Sequence, residues 1–574
     1  MKHKRRLLAV AIILPLVVLA YFAININHYA GAGRLGTGPI EPGPYLPPPA
    51  PGPSESESHY TQLGMAVIDD LAKRELPFWE EDGKINAPRI LLANIVRGSN
   101  IADVNGYIQR LRPWGNAGSS WALNPLGDYD FTMTVLVSML YLFQDEPSRL
   151  YPDSRTHIVH ELLTEKGRGP RLPAPRTLGL VLDTENHHLM TESARYLTNQ
   201  WLRTRDGWTG QQYNNRANGL EAWLIAYLEE MLDEGIYEFN SIPYFAYTLH
   251  PLMNLEAFAE SEEIRSLSRH ILDIANLEYA LGSLDFRRHA PFRRKIERGE
   301  GELSTDPHTA AMRVWMSEQY TWGDPLPAVT VHRNAAFAAA LLPYRPSPDV
   351  AHWTQHKPAP YFAIIGRGAG ASPEIYSGGP GYLLSAGGVH RGRRSMIRAR
   401  PISLMLSDGA QDLSECFHIV GKGDWRQWNN TGVHQNFAVA NGPVHVPAAY
   451  EPVAEDGEWR VYAPESVPGL LIAVVSREDF GLIALFPESL DSPEELLTVL
   501  TAYNHAPHAL RRAFTWPDRS VIHYSVDTPA GTWVLHSWRG DPFERDYDNW
   551  PRLDGILPQI SFARSVFNYG IEQE

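Results

Sequence analysis

Two short stretches gather side chains that can move protons and hold anionic groups. One is Asp183-Thr184-Glu185-Asn186-His187-His188, followed by Leu189-Met190-Thr191-Glu192. The other runs from Glu238 through Asn240, Pro243 and Tyr244 to Tyr247 and Thr248. An imidazole near its ordinary pKa can take a proton at neutral pH. An Asn amide can donate hydrogen bonds to a carboxylate, and a Tyr hydroxyl can protonate a leaving oxygen or serve as base and acid in turn. Together such groups can move a proton beside an anionic group. Each also has a plainer structural reading. Asn186 and His187 stand where a helix start needs capping, as do Asp183 and Thr184. Tyr244 and Tyr247 follow a turn at Pro243 and can equally be core aromatics. His188 and Glu192 would share a helical face, but two ligands do not make a metal site and none is assigned. Asp128-Tyr129-Asp130 precedes an apolar run, and its carboxylates read as N-terminal capping groups.

Both stretches stand at helix starts. From about Tyr60 to about Trp322 apolar residues recur with helical spacing. Phe131 to Phe143 is apolar nearly all round, as in an inner helix; Leu220 to Leu232 has acids on one face, with Gly235 at the expected stop. Tyr247 to Ala259 and Glu262 to Leu281 give two more amphipathic helices. Short connections between such helices predict antiparallel hairpins wound into a toroid or solenoid, whose loops can converge on a cleft at one end. After about Pro343, short strand-like runs alternate with Gly, Pro and Asp turns, among them Tyr361 to Ile365, Ile402 to Leu406, Leu482 to Phe486 and Val521 to Val526. These predict an antiparallel sandwich. Helices first and strands second predict an α+β multidomain protein, with an (α/α) toroid over 59–335 and an antiparallel β-sandwich over 336–574.

A helical toroid followed by an antiparallel sandwich resembles the polysaccharide lyases of the heparinase II/III and alginate lyase type. Those enzymes carry an Asn-His pair at a helix start and a catalytic tyrosine downstream; Asn186-His187 matches the pair and Tyr244 the tyrosine. The resemblance implies β-elimination on a uronic-acid polysaccharide. Asn186 would neutralise the carboxylate, His187 act as base and Tyr244 as acid, with His188 and Tyr247 the nearest alternatives. It implies no required cofactor and leaves a structural metal open.

Substrate contacts are expected from His188, Tyr247, Glu238 and Arg216, and from Trp425 and Trp428. The loop Trp425-Arg426-Gln427-Trp428-Asn429-Asn430 can stack sugar rings, or bury its tryptophans at a domain interface. Arg287-Arg288-His289, Arg293-Arg294-Lys295 and the arginines between Arg391 and Arg400 add basic clusters, each arginine reading first as a solvated surface group. Two other functions stay open. A glycoside hydrolase on a similar toroid would need two carboxylates about 5–9.5 Å apart, drawn from Asp183, Glu185, Glu238 and Asp130. A silent glycan-binding protein would need neither.

The N-terminus sets the compartment. Lys2, Lys4, Arg5 and Arg6 precede an unbroken apolar run from Leu7 to Ile24. Basic residues stay on the cytoplasmic side, and a spanning helix needs roughly 17–25 residues. The expectation is an exported protein, periplasmic or at the cell surface, held by a single N-terminal transmembrane segment within 1–30; a removed signal peptide is the other reading. Residues 31–58, with Pro47-Pro48-Pro49, form a Pro/Gly-rich linker. The body of this 574-residue chain is too long for one core. Its single cysteine, Cys416, excludes an internal disulfide and Cys-based metal sites. A net charge of −15 argues against nucleic acid as the main partner, but not against an anionic polysaccharide, because local potential governs steering.

Overall fold

In the computed structural model the described residues are 13–17, 61–75, 84–113, 128–171, 184–236, 239–241, 244–292, 301–318, 333–355, 357, 359–365, 374–387, 402–419, 432–487, 492–527, 534–542, 552–555 and 568–569. They form an α+β protein with helices in the N-terminal part and antiparallel sheets in the C-terminal part. Two compact units divide the chain: Met1–Glu229, Ala246–Leu272 and Ser317–Arg345 make the first; Glu230–Phe245, Asp273–Met316 and Pro346–Glu574 make the second. Parts of the helical stretch thus group with the strands. Among the described residues no helix is long and apolar enough to cross a membrane. Of the apolar run 7–24 only 13–17 are described, as helix, so the expected anchor lies mostly outside the described residues.

The helices are α1 (Gln62–Ala72), α2 (Asn86–Arg97), α3 (Ile101–Arg110), α4 (Asp130–Leu142), α5 (Pro152–His157), α6 (Glu185–Thr204), α7 (Leu220–Glu234), α8 (Ala246–Phe258), α9 (Glu262–Leu281), α10 (Pro307–Trp315) and α11 (Arg333–Leu341). Every residue of α4 is buried, as its all-round apolar surface demands. Gly235 closes α7 at φ +82°, a conformation that costs other residues far more than glycine. In the first unit α4, α6 and α8 run in one direction. Their first turns meet through Phe131, His187 and Tyr247, and their last turns through Tyr141, Trp201 and Phe258. Helix contacts pass from α1 to α2, α4, α6, α8 and α11 and return to α1, with α8 also touching α4.

The second unit carries the sheets. The hairpin β1 (Ser283–Leu284) and β2 (Arg287–Arg288) and helix α12 (Pro348–Gln355) precede β3 (Tyr361–Ile365), β4 (Glu374–Gly379), β5 (Tyr382–Gly387), β6 (Ile402–Leu406), β7 (Phe417–Ile419), β8 (Gly432–His434), β9 (Phe437–Ala440) and β10 (Val444–His445). Then follow β11 (Ala454–Asp456), β12 (Trp459–Tyr462), β13 (Leu471–Arg477), β14 (Phe480–Phe486), helix α13 (Pro493–Tyr503), β15 (Ala513–Thr515), β16 (Val521–Tyr524), β17 (Leu535–Trp538), β18 (Asp541–Pro542), β19 (Arg552–Gly555) and β20 (Asn568–Tyr569). An eight-stranded sheet has the order β10-β7-β6-β5-β4-β3-β19-β20, and a six-stranded sheet the order β11-β12-β13-β14-β9-β8. Only β19 and β20 pair in parallel among the described strands. The two sheets share a core in which Ile483 and Leu485 of β14 meet Ile375, Leu384 and Leu404. Leu482, Ala484 and Phe486 face the other way, against Leu496 and Leu500 of α13 and against Phe514 and Tyr524 of the four-stranded sheet β15-β16-β17-β18. Such a middle layer is buried on both faces, which is why its sequence is continuously apolar. α13 was not anticipated; Ser492 caps it by accepting from Glu495 N at 3.1 Å.

Candidate active site

The first turns of four helices meet in the first unit, together with the residue two positions ahead of α2. Asp130 opens α4, and its Oδ2 lies 2.5 Å from Nδ1 of His187, in the first turn of α6. An ionised carboxylate can only accept, so the proton of this bond belongs to Nδ1 and leaves Nε2 as the ring's basic nitrogen. Phe131 separates the imidazole from the next helix. Its ring meets His187 edge-on at 5.6 Å and Tyr247 of α8 at 4.4 Å between centroids. Lys84 holds its Nζ 5.2 Å from the same ring centroid and 3.0 Å from Oδ2 of Asp128. Asn334 in α11 reaches the Tyr247 hydroxyl with Nδ2 at 3.4 Å.

Asn186 is 1% exposed. Its Oδ1 accepts a 2.7 Å hydrogen bond from the Thr184 hydroxyl. Its Nδ2 has no partner among the described residues. A buried donor left unmade costs about 1–3 kcal/mol, and this one lies one residue from His187, where it can donate to a bound oxygen.

These contacts correct the capping readings. Tyr129, not Asp130, stands at the N-cap of α4 and makes no side-chain cap. Asp130 turns to His187 instead, and Asp128 to Lys84. Thr184 stands at the N-cap of α6 without a side-chain cap, its hydroxyl spent on the Asn186 side chain. The two carboxylates take distant cationic or imidazole partners, where donor and acceptor charge can both contribute, whereas Thr184 takes a neutral local one.

The other expected site residues are scattered. His188 is buried edge-on against Trp223 and Tyr227, at 6.4 and 6.2 Å. Tyr244 is half-buried and belongs to the second unit, whereas Tyr247 belongs to the first. Arg216 has a side chain 77% exposed and is paired through Nε with Glu221 at 2.8 Å. Asp183, Glu238, Trp425 and Trp428 lie outside the described residues, as do Arg293, Arg294, Lys295 and the cluster from Arg391 to Arg400. Arg287 and Arg288 are not solvated: both are buried. Arg287 donates to the carbonyls of Leu406 and Ala410, each at 2.9 Å. Arg288 donates to Asn240 Oδ1 at 3.1 Å and lies over the Phe239 ring at 4.6 Å and the Tyr279 ring at 5.3 Å. Carbonyls and ring faces replace the water a buried guanidinium loses.

Sequence reading missed a buried ionic cluster in the first unit. Glu165 and Arg195 pair at 2.8 Å with both side chains fully buried, and Arg195 Nε meets Glu192 Oε2 at 2.7 Å. Arg171 and Arg168 reach Glu165 at 3.2 and 3.3 Å. Burial alone would raise the Glu165 pKa, but Arg195, Arg171 and Arg168 overcome it and hold the carboxyl at about 2. Glu192 is thus committed to Arg195 and not to a metal with His188. A second group, Ser138, His250 and Asn254, has the residue types of a nucleophilic triad. It is buried, and the Ser138 hydroxyl is donated to Asn254 Oδ1 at 2.7 Å. Burial, with Arg89 adding to it, drives the His250 pKa well down, so this group is a neutral hydrogen-bonded tie between helices.

Compared with known proteins, the chain matches no family model and no curated protein in sequence.

Proposed function

We propose that this protein is a lyase that cleaves a uronic-acid polysaccharide by β-elimination and is held outside the cytoplasm by its N-terminal segment. The observation that carries the reading is the buried Nδ2 of Asn186, without a partner among the described residues, beside a histidine whose Nδ1 is already bonded. One group can bind a carboxylate and the other can take the proton next to it. Several helix N-termini gather at this place, and their partial positive charge favours an anionic sugar. The cyclic order of helix contacts in the first unit supports an (α/α) toroid, and the shared core of the two large sheets supports a β-sandwich.

In this reading Asn186 donates to the uronate carboxylate and disperses the charge that grows there. His187 Nε2 takes the proton from the carbon α to that carboxylate. The electrons of the C–H bond form a double bond to the neighbouring carbon, the glycosidic C–O bond breaks, and a tyrosine hydroxyl protonates the departing oxygen. Histidine is left protonated and tyrosine deprotonated, and solvent restores both. Tyr244 is the tyrosine the motif indicates. Tyr247 has a specific observation in its favour, the shared Phe131 contact with His187.

Incubating the full chain with a panel of uronic-acid polymers should yield ultraviolet absorbance from unsaturated product ends. Asn186→Ala should lower turnover by about 10²–10³-fold, as loss of one donor to a developing charge does. His187→Ala should lower it at least as far, and one of Tyr244→Phe and Tyr247→Phe should match it. New reducing ends without the absorbance would replace the reading with a hydrolase. Neither signal across the panel would leave a glycan-binding protein.

A further inference from the structure

We propose that Asp130 is the positioning residue of His187: it fixes which ring nitrogen is basic and stabilises the imidazolium formed when that nitrogen takes a proton. The role of Nε2 as the base rests on the lyase reading, whereas the Asp130–His187 coupling stands on geometry alone.

Three features support the coupling. The 2.5 Å contact joins residues 57 apart in sequence, so the fold creates it and local propensity does not. Asp130 is 6% exposed, so little water competes for its carboxylate. The cap alternative is unused, since α4 has no side-chain cap. His187 also needs such a partner. It sits in the first turn of α6, where backbone N–H groups make a positive potential that opposes a second ring proton. Lys84 stands across the Phe131 ring and adds to that potential, although Asp128 pairs with it at 3.0 Å. A carboxylate on Nδ1 offsets both effects and holds the ring in one orientation. With Nδ1 protonated, Nε2 carries the lone pair. When Nε2 accepts a proton from a carbon or oxygen acid, the cation is shared with a carboxylate already in place. No rearrangement is then needed at the moment of transfer.

The test uses full-length protein with ¹⁵N-labelled histidine, the His187 signals being assigned by their loss in His187→Gln. In the wild type, long-range ¹H–¹⁵N spectra should show a neutral Nδ1–H tautomer. In Asp130→Asn, whose amide can donate to Nδ1, the signal should shift toward the Nε2–H tautomer, and in Asp130→Ala the two tautomers should mix. With a uronic-acid polymer, both variants should lose about 10²–10⁴-fold in kcat while KM changes by less than about 3-fold. Asp130→Glu should recover part of the loss. A His187 tautomer that Asp130→Asn leaves unchanged would overturn the proposal, as would wild-type kcat in both variants. If wild-type protein makes no unsaturated product yet the tautomer responds as stated, the lyase reading falls and the positioning role of Asp130 stands.

Discussion

At the scale of single residues, the first unit spends its buried charge in two ways. Around His187 a single carboxylate, Asp130, holds the imidazole; around Arg195 several charges form a buried cluster that serves stability. Glu165 shows the second use most plainly. Its folded pKa is held near 2 against an ordinary 4.5, so it binds a proton more readily when unfolded than when folded. The stability this contributes is fully present above about pH 4.5 and is lost as pH falls toward 2. The shift corresponds to a contribution on the order of 3 kcal/mol. Glu165→Gln should therefore be markedly less stable than wild type at pH 6 in guanidinium melts, with the gap closing on descent to pH 2. A gap that stays constant over that range would show that Glu165 is not the titrating group. None of this cluster was legible from spacing. Glu192 and Arg195 are near neighbours on α6, but Glu165 arrives from a separate segment.

Secondary elements were the most readable level. The helix at 262–281 and the strands at 361–365 and 402–406 fall where apolar periodicity put them. Periodicity is a local property, set by which side of an element meets the core. It fails where local signals are mixed. α13 lies among strands because Ser492 and Pro493 form a helix start and Leu496, Leu497 and Leu500 supply the buried face, a pattern easily passed over in a strand-rich region. β14 is the element most committed to packing, since its two faces serve two cores. Ile483→Ala should cost about 2–5 kcal/mol, the range for truncating a buried aliphatic side chain. A loss under 1 kcal/mol in chemical denaturation would mean that the layers close over the cavity. Helix starts are legible, but the carboxylates of Asp128 and Asp130, read first as capping groups, pair with Lys84 and His187. The sequence near a helix start does not reveal whether a carboxylate has a better partner elsewhere.

For the whole molecule, the division into compact units cuts across the order of the chain. Residues 230–245 and 273–316 group with the strands, although they lie within the helical stretch. Tyr244 and Tyr247 are three residues apart yet belong to different units. Placement in the cell belongs to this scale too. Under the proposed anchoring, full-length protein expressed in a bacterial host should sediment with membranes. A chain lacking residues 1–30, given a cleavable signal, should appear in the soluble periplasmic fraction. Full-length protein found free of membranes would favour a removed signal peptide.

The sequence by itself determined the α+β order of the chain, many element boundaries and the two stretches worth watching, because hydrophobic spacing and turn residues act over a few residues at a time. Only the tertiary structure decided what Asn186 and His187 have to work with. It took a carboxylate 57 residues away to select the proton-bearing nitrogen, and the close packing of helix starts to leave one amide donor buried without a partner among the described residues. Both are consequences of burial, which makes each polar partner energetically decisive and is settled only when distant segments meet.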